Sequence, residues 1–185
     1  MRTSRIALAF LLSVGSVFAS TTNVVAQGAP AMVILVRHAE KATVGGSDPS
    51  ISEAGQVRAK ALAAAIADAH VTAIITTTFK RTFETAEPFA TAHGITIEKL
   101  AVNGDVAAAV RKHAGEVVLV VGHSNTVPAI VNALGGPKLP DICDASYATM
   151  FMLVPSKDGK SAQVVKSKYG PADPDGAETC STPMR

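Results

Sequence analysis

No sign of charge dominates this sequence: 17 Lys and Arg stand against 15 Asp and Glu, a formal net charge of +2. That balance excludes the strongly basic surface expected of a nucleic-acid-binding protein. There is no internal repeat and no low-complexity linker, and 185 residues are too few for two ordinary domains. One compact domain carrying one site is the expectation. Cysteine is scarce, with only Cys143 and Cys180, and none directly follows the N-terminal apolar run, which argues against a lipoprotein anchor.

What is present begins with that run. Arg2 and Arg5 precede an apolar stretch, Ile6 to Val17, that is too short to span a bilayer comfortably. The pattern predicts a cleavable signal peptide over 1–26, with small residues permitting cleavage after Ala19 or after Ala26. Its removal leaves 15 basic and 15 acidic residues, and no stable membrane anchor. A periplasmic or secreted location follows, and an oxidising compartment favours a Cys143–Cys180 bridge over two unpaired thiols. Such a bridge would tether the Pro- and Gly-rich tail, 170–185, to a domain spanning 27–169. It would stabilise the fold by about 3 to 4 kcal/mol, chiefly through the unfolded chain.

Three short segments are nearly continuous apolar runs: Met32 to Val36, Val71 to Ile75 and Val117 to Val121. Runs of this kind predict strands buried on both faces. Alanine-rich stretches with helical periodicity lie between and after them, at Glu53 to Ala69, Thr82 to His93, Asp105 to His113 and Val127 to Leu134. Ser52 and Asp105 are placed to cap two of these helices, and Gly94 and Gly115 stand where helix ends favour glycine. Two further strands are expected over Tyr147 to Val154 and Ala162 to Val165. The alternation predicts an α/β fold, a three-layer sandwich with a mostly parallel central sheet flanked by helices.

In an open α/β sheet, ligands bind beyond the carboxyl ends of the strands. Basic residues follow all three runs: Arg37 and His38 after the first, Lys80 and Arg81 shortly after the second, and His123 after the third. Two Arg and two His converging on one crevice make an anion pocket, and phosphate is its natural occupant because a guanidinium holds two of its oxygens in fixed geometry. The loop from Gly122 into the helix near Asn125 adds backbone N–H groups and the positive end of a helix dipole. Neither cysteine is followed by Arg six positions later, and no Walker-type loop or aspartate-rich metal cluster occurs. Imidazole remains as the nucleophile, and His38 is the candidate.

Val-Arg-His-Ala-Glu at 36–40, Ile-Ser-Glu-Ala-Gly at 51–55, Lys-Arg-Thr-Phe-Glu-Thr-Ala at 80–86 and Gly-His-Ser at 122–124 resemble, in order and spacing, the motifs of the histidine phosphatase superfamily. The resemblance runs from about Val33 to Val154. It implies that His38 is transiently phosphorylated while Arg37, Arg81 and His123 hold the transferring phosphoryl group, with no metal and no cofactor. Ala39 departs from the usual Gly. The resemblance also implies a proton donor after the second Arg, for which Asp105 and Glu98 are the candidates; helix capping is the competing role of Asp105. Ser124 stands where one branch of the family has Asp. A phosphohistidine or phosphoramidate substrate would need less help from an acid than a phosphomonoester. The alternative to a phosphatase is a phosphate-binding or sensing protein without turnover. His70, His93 and His113 are read as residues at helix carboxyl ends rather than metal ligands, and Glu40, Lys41 and Thr76 to Thr78 are left outside the site.

Overall fold

The three apolar runs lie side by side at the centre of one sheet. In the computed structural model, which describes residues 28–101, 104–156, 158 and 160–180, they form β1 (Met32–Arg37), β2 (Val71–Thr77) and β4 (Val117–Gly122). The six-stranded sheet has the order β3 (Ile97–Leu100), β2, β4, β1, β5 (Thr149–Pro155), β6 (Ala162–Lys168). The first four strands in that order run parallel, and β5 and β6 continue the sheet antiparallel. The expected signal peptide over 1–26 lies outside the described residues.

Alternation along the strands divides the core into two layers. Val33, Leu35, Val118 and Val120 pack on one face with Ala107 and Val110 of α3 (Val106–Val110) and Val127 and Val131 of α4 (Thr126–Ala133). Ile34, Val36, Leu119 and Val121 pack on the other with Leu62 of α1 (Glu53–Ala65) and Ala86 and Phe89 of α2 (Lys80–His93). This is the three-layer α/β arrangement expected of strands that are apolar on both sides.

Local punctuation acts where the sequence places it. Ser52 Oγ accepts from the Gly55 N–H at 3.1 Å, and Asp105 Oδ1 accepts from the Ala108 N–H at 2.8 Å. Gly94 takes the left-handed conformation that ends α2, at φ 65°. Several boundaries differ from expectation. Helix α1 stops at Ala65 rather than Ala69, because the chain turns through a left-handed His70 (φ 53°) to enter β2. Helix α2 starts at Lys80 rather than Thr82, since Asp48 accepts the Lys80 N–H at 3.0 Å from outside the helix. Helix α3 is a five-residue piece, and β6 runs on to Lys168. Strand β3 was not expected: it is an edge strand with no fully buried residue, so it carries no apolar run.

The tail beyond β6 docks back on the domain. Cys143 and Cys180 form a disulfide with Cα atoms 5.2 Å apart across 37 residues of chain, and Asp173 and Ala177 are buried against the segment before β5. Among the described residues no helix is long and apolar enough to cross a membrane.

Candidate active site

Register alone brings the two histidines together. Arg37 of β1 lies opposite Gly122 of β4, so the next residue on each strand, His38 and His123, emerges at the same level beyond the carboxyl end of the sheet. The His38 N–H donates to the Gly122 carbonyl at 2.9 Å, and the two rings meet edge to face with centroids 5.3 Å apart. Gly122 is required by close approach: a Cβ there would lie 2.9 Å from Thr126 Oγ1 and 3.1 Å from a Val127 methyl.

The buried His38 ring is fixed by the Ala39 carbonyl, 2.8 Å from Nδ1. A carbonyl only accepts, so Nδ1 carries the proton of the neutral ring and Nε2 keeps its lone pair. Among the described residues Nε2 meets no protein donor. His123 is oriented by Thr77, whose Oγ1 is 3.1 Å from Nε2 and also 2.9 Å from Thr82 Oγ1. Removal from water, with Arg37, His123 and Arg81 nearby, holds the His38 pKa down to about 3. Burial first and then Arg81 and Arg37 hold His123 at about 4. Both rings are therefore neutral near pH 7.

The two arginines are held differently. Arg37 is 4% exposed; its Nη1 donates to the carbonyls of Cys143, Asp144 and Ser146 at 2.8, 2.9 and 3.1 Å. Its guanidinium stacks 4.2 Å from the centre of the Tyr147 ring. Its Nη2 meets the Tyr147 hydroxyl and Asp144 Oδ1 at 3.5 Å each, and among the described residues its buried Nε has no partner. Arg81 lies over the Phe79 ring at 4.0 Å and faces Asp48 at 3.7 Å.

The motifs brace one another. Thr85 Oγ1 accepts from the Ala39 N–H at 2.9 Å and donates to the Arg81 carbonyl at 2.6 Å, joining the turn after His38 to the helix that presents Arg81. Glu84 accepts from the Ile51 N–H at 2.8 Å. Gly55 lets α1 pass the chain after β1, because a Cβ there would collide with the Glu40 carbonyl. Ala39 is fully buried, so its methyl group is accommodated where Gly is usual.

The structure thus brings Arg37, His38, Arg81 and His123 to one crevice, but neither acid candidate joins them through a described contact. Asp105 caps α3 through Ala108. Glu98 lies 3.8 Å from His113, which precedes β4 at the opposite, amino end of the sheet. Glu40, left outside the site, pairs with the buried Arg58 at 2.7 to 3.0 Å. Sequence reasoning missed Tyr147, whose ring centre is 6.2 Å from that of His38, as well as Asp48 and the carbonyls around Arg37. Thr77 was visible but indistinguishable from an ordinary strand end. Beside Tyr147 opens a cleft of about 520 Å³, lined by Glu40, Val57, Arg58, Pro171 and Pro174 among others.

Comparison with known proteins bears on this geometry. The family model for the histidine phosphatase superfamily (branch 1) matches residues 33–101. No curated protein matches the chain. Among solved structures, the protein histidine phosphatase SixA complexed with tungstate superposes with a TM-score of 0.61 at 18% identity, covering 74% of this chain and 96% of that one. A protein from Agrobacterium tumefaciens assigned as the phosphohistidine phosphatase SixA gives 0.54 at 24% identity, covering 68% and 92%. A mycobacterial glucosyl-3-phosphoglycerate phosphatase in complex with VO3 gives 0.56 at 15% identity, covering 76% and 99%. Residues 33–101 thus resemble the histidine phosphatase superfamily (branch 1) in sequence, and the described domain shares its fold with these phosphatases.

Proposed function

We propose that this protein is a metal-independent phosphatase that hydrolyses a phosphomonoester or a phosphoramidate, phosphohistidine included, through a phospho-His38 intermediate. The observation that carries the reading is a neutral His38, with Nδ1 committed to a carbonyl and Nε2 left with its lone pair, beside His123 and two arginines. In the first step Nε2 attacks phosphorus, the P–N bond forms and the bond to the leaving group breaks, the leaving atom taking a proton. Water then attacks phosphorus, the P–N bond breaks and inorganic phosphate departs. Arg37 and Arg81 supply the positive charge that offsets the developing negative charge, a role that metal ions fill in other phosphoryl-transfer sites. The cleft beside Tyr147 supports a leaving group with an apolar portion.

The test is phosphate release from an aryl phosphate and from phosphohistidine in the presence of a chelator. Wild-type protein turns over, and His38→Ala loses turnover by at least about 10³-fold; equal turnover in the variant would falsify the mechanism. A phosphate-binding or sensing role without turnover is the second reading, favoured because neither Asp105 nor Glu98 has a described contact with Arg37, His38, Arg81 or His123. Trapping of a phosphorylated His38 excludes it.

The depressed imidazoles also make a stability prediction. The unfolded chain takes up protons near pH 6.5, whereas folded His38 and His123 resist them until about pH 3 and 4. Their contribution is therefore complete above about pH 6.5 and is lost progressively as pH falls through that window. The thermal midpoint of the phosphate-free protein should fall from pH 6.5 towards pH 4, less steeply in His38→Phe than in wild type. An identical slope in the two proteins contradicts the neutral His38.

Export is proposed on the same footing. The predicted leader over 1–26 and the Cys143–Cys180 bridge support a periplasmic or secreted protein, because disulfides persist in oxidising compartments. Secretion of a fusion bearing residues 1–30 tests it directly.

A further inference from the structure

Arg37 is held by a segment with no regular secondary structure, so what holds that segment matters. The three carbonyls that receive Nη1 belong to Cys143, Asp144 and Ser146. Behind them, Cys143 is bonded to Cys180, and Ser146 Oγ donates to the Ala177 carbonyl at 2.9 Å. The N–H groups of Tyr147 and Ala148 donate to Asp173 Oδ1 at 2.8 and 3.0 Å. Asp173 itself is buried and faces Arg58 at 3.8 Å. Every one of these supports comes from the tail after β6, over 173–180. The arrangement also suits the charge requirement: three neutral carbonyls orient the guanidinium without cancelling its charge, whereas the carboxylate of Asp144 stays 65% exposed at 3.5 Å.

We propose that the disulfide-closed tail is a positioning device for Arg37, with Cys143–Cys180 and Asp173 setting phosphoryl affinity without touching the phosphoryl group. The proposal rests on the assignment of Arg37 to phosphate binding. It makes the strength of phosphate binding depend on oxidation: reducing the bridge frees Cys143 and Cys180, loosens the 143–146 carbonyls, and lets the guanidinium leave the orientation in which those carbonyls hold it. Misplacement of such a group by about 1 Å is enough to cost up to about 10²-fold.

A double-mutant cycle tests it, read by the dissociation constant of inorganic phosphate from the full-length mature protein. The strap variants are Cys143→Ser/Cys180→Ser and, with the bridge intact, Asp173→Ala, which removes the acceptor of the Tyr147 and Ala148 N–H groups. Each is made in wild-type and in Arg37→Lys backgrounds, the latter keeping a cation but not the fork. In the wild-type background each should weaken phosphate binding about tenfold, and in the Arg37→Lys background by less than about twofold. Equal losses in both backgrounds, or no loss in wild type, overturn the proposal, because the strap would then support the fold in general or not at all. If the serine variant does not fold, Asp173→Ala decides by the same criteria. The readout is binding, so a protein that binds phosphate without turnover fails the phosphatase reading while leaving this inference to stand or fall by itself.

Discussion

The two sides of the proposed phosphate crevice are built on different principles. On one side, Arg37 leaves the central strand and is locked by three carbonyls, an aromatic ring and a cross-linked tail. On the other, Arg81 sits in the first turn of a helix, with one carboxylate at 3.7 Å and one ring beneath it. The first is held by many partners and the second by few. In the proposed mechanism a tightly held donor would define where phosphorus lies, and one with fewer partners could follow the charge as it shifts between leaving group and water.

Replacing each arginine separates the two sides most sharply. Arg37→Ala should lower kcat by about 10³-fold, at the upper end for a lost transition-state donor, and should also lower the thermal midpoint, because three carbonyls lose their donor. Arg81→Ala should lower kcat by about 10²-fold with an unchanged midpoint. Steady-state kinetics paired with thermal melts read both, and equal stability losses in the two variants would erase the distinction.

A smaller effect is expected at the pair beneath the rigid side. Arg58 is 2% exposed and its partner Glu40 is 24% exposed. Breaking a fully buried pair costs about 3 to 5 kcal/mol; Glu40 reaches solvent, and Arg58 keeps the Tyr169 and Pro171 carbonyls. Glu40→Gln should therefore destabilise by about 2 kcal/mol in denaturant titration. A loss below about 0.5 kcal/mol would mean that this ion pair does not hold the tail. Smallest of all is Asp48→Asn, since the Asp48–Arg81 pair is partly exposed: kcat/KM should change by less than about threefold, within the range of surface ion pairs.

The readable parts of this molecule are those whose physics is local or periodic. Runs such as Met32 to Val36 announce strands buried on both faces, and Ser52, Asp105 and Gly94 announce helix ends, because each acts on its own neighbours in the chain. His38, His123, Arg37 and Arg81 could be named because strand ends converge in any parallel sheet. Strand β3 stayed hidden because Ile97 and Leu100 are only half-buried and Glu98 and Lys99 are exposed, a pattern a loop shares. The cage around Arg37 was equally hidden: a bond from a side chain to main-chain carbonyls 106 to 109 residues away depends on no residue type and leaves no spacing to read. Asp105 shows the converse, a residue whose local role as a cap was legible and whose proposed distant role gains no contact.

The position of β1 between β4 and β5 sets the order in which the site can come into being. The strand that leads into His38 is made early, yet both its neighbours and the tail that braces Arg37 are made late. During synthesis or export from the amino terminus, a chain that has reached Leu134 already contains all four sequence motifs and still has no anchor for its first arginine. Completion of the crevice is therefore coupled to completion of the polypeptide, and a product truncated at Leu134 keeps all four motifs without the carbonyls that hold Arg37.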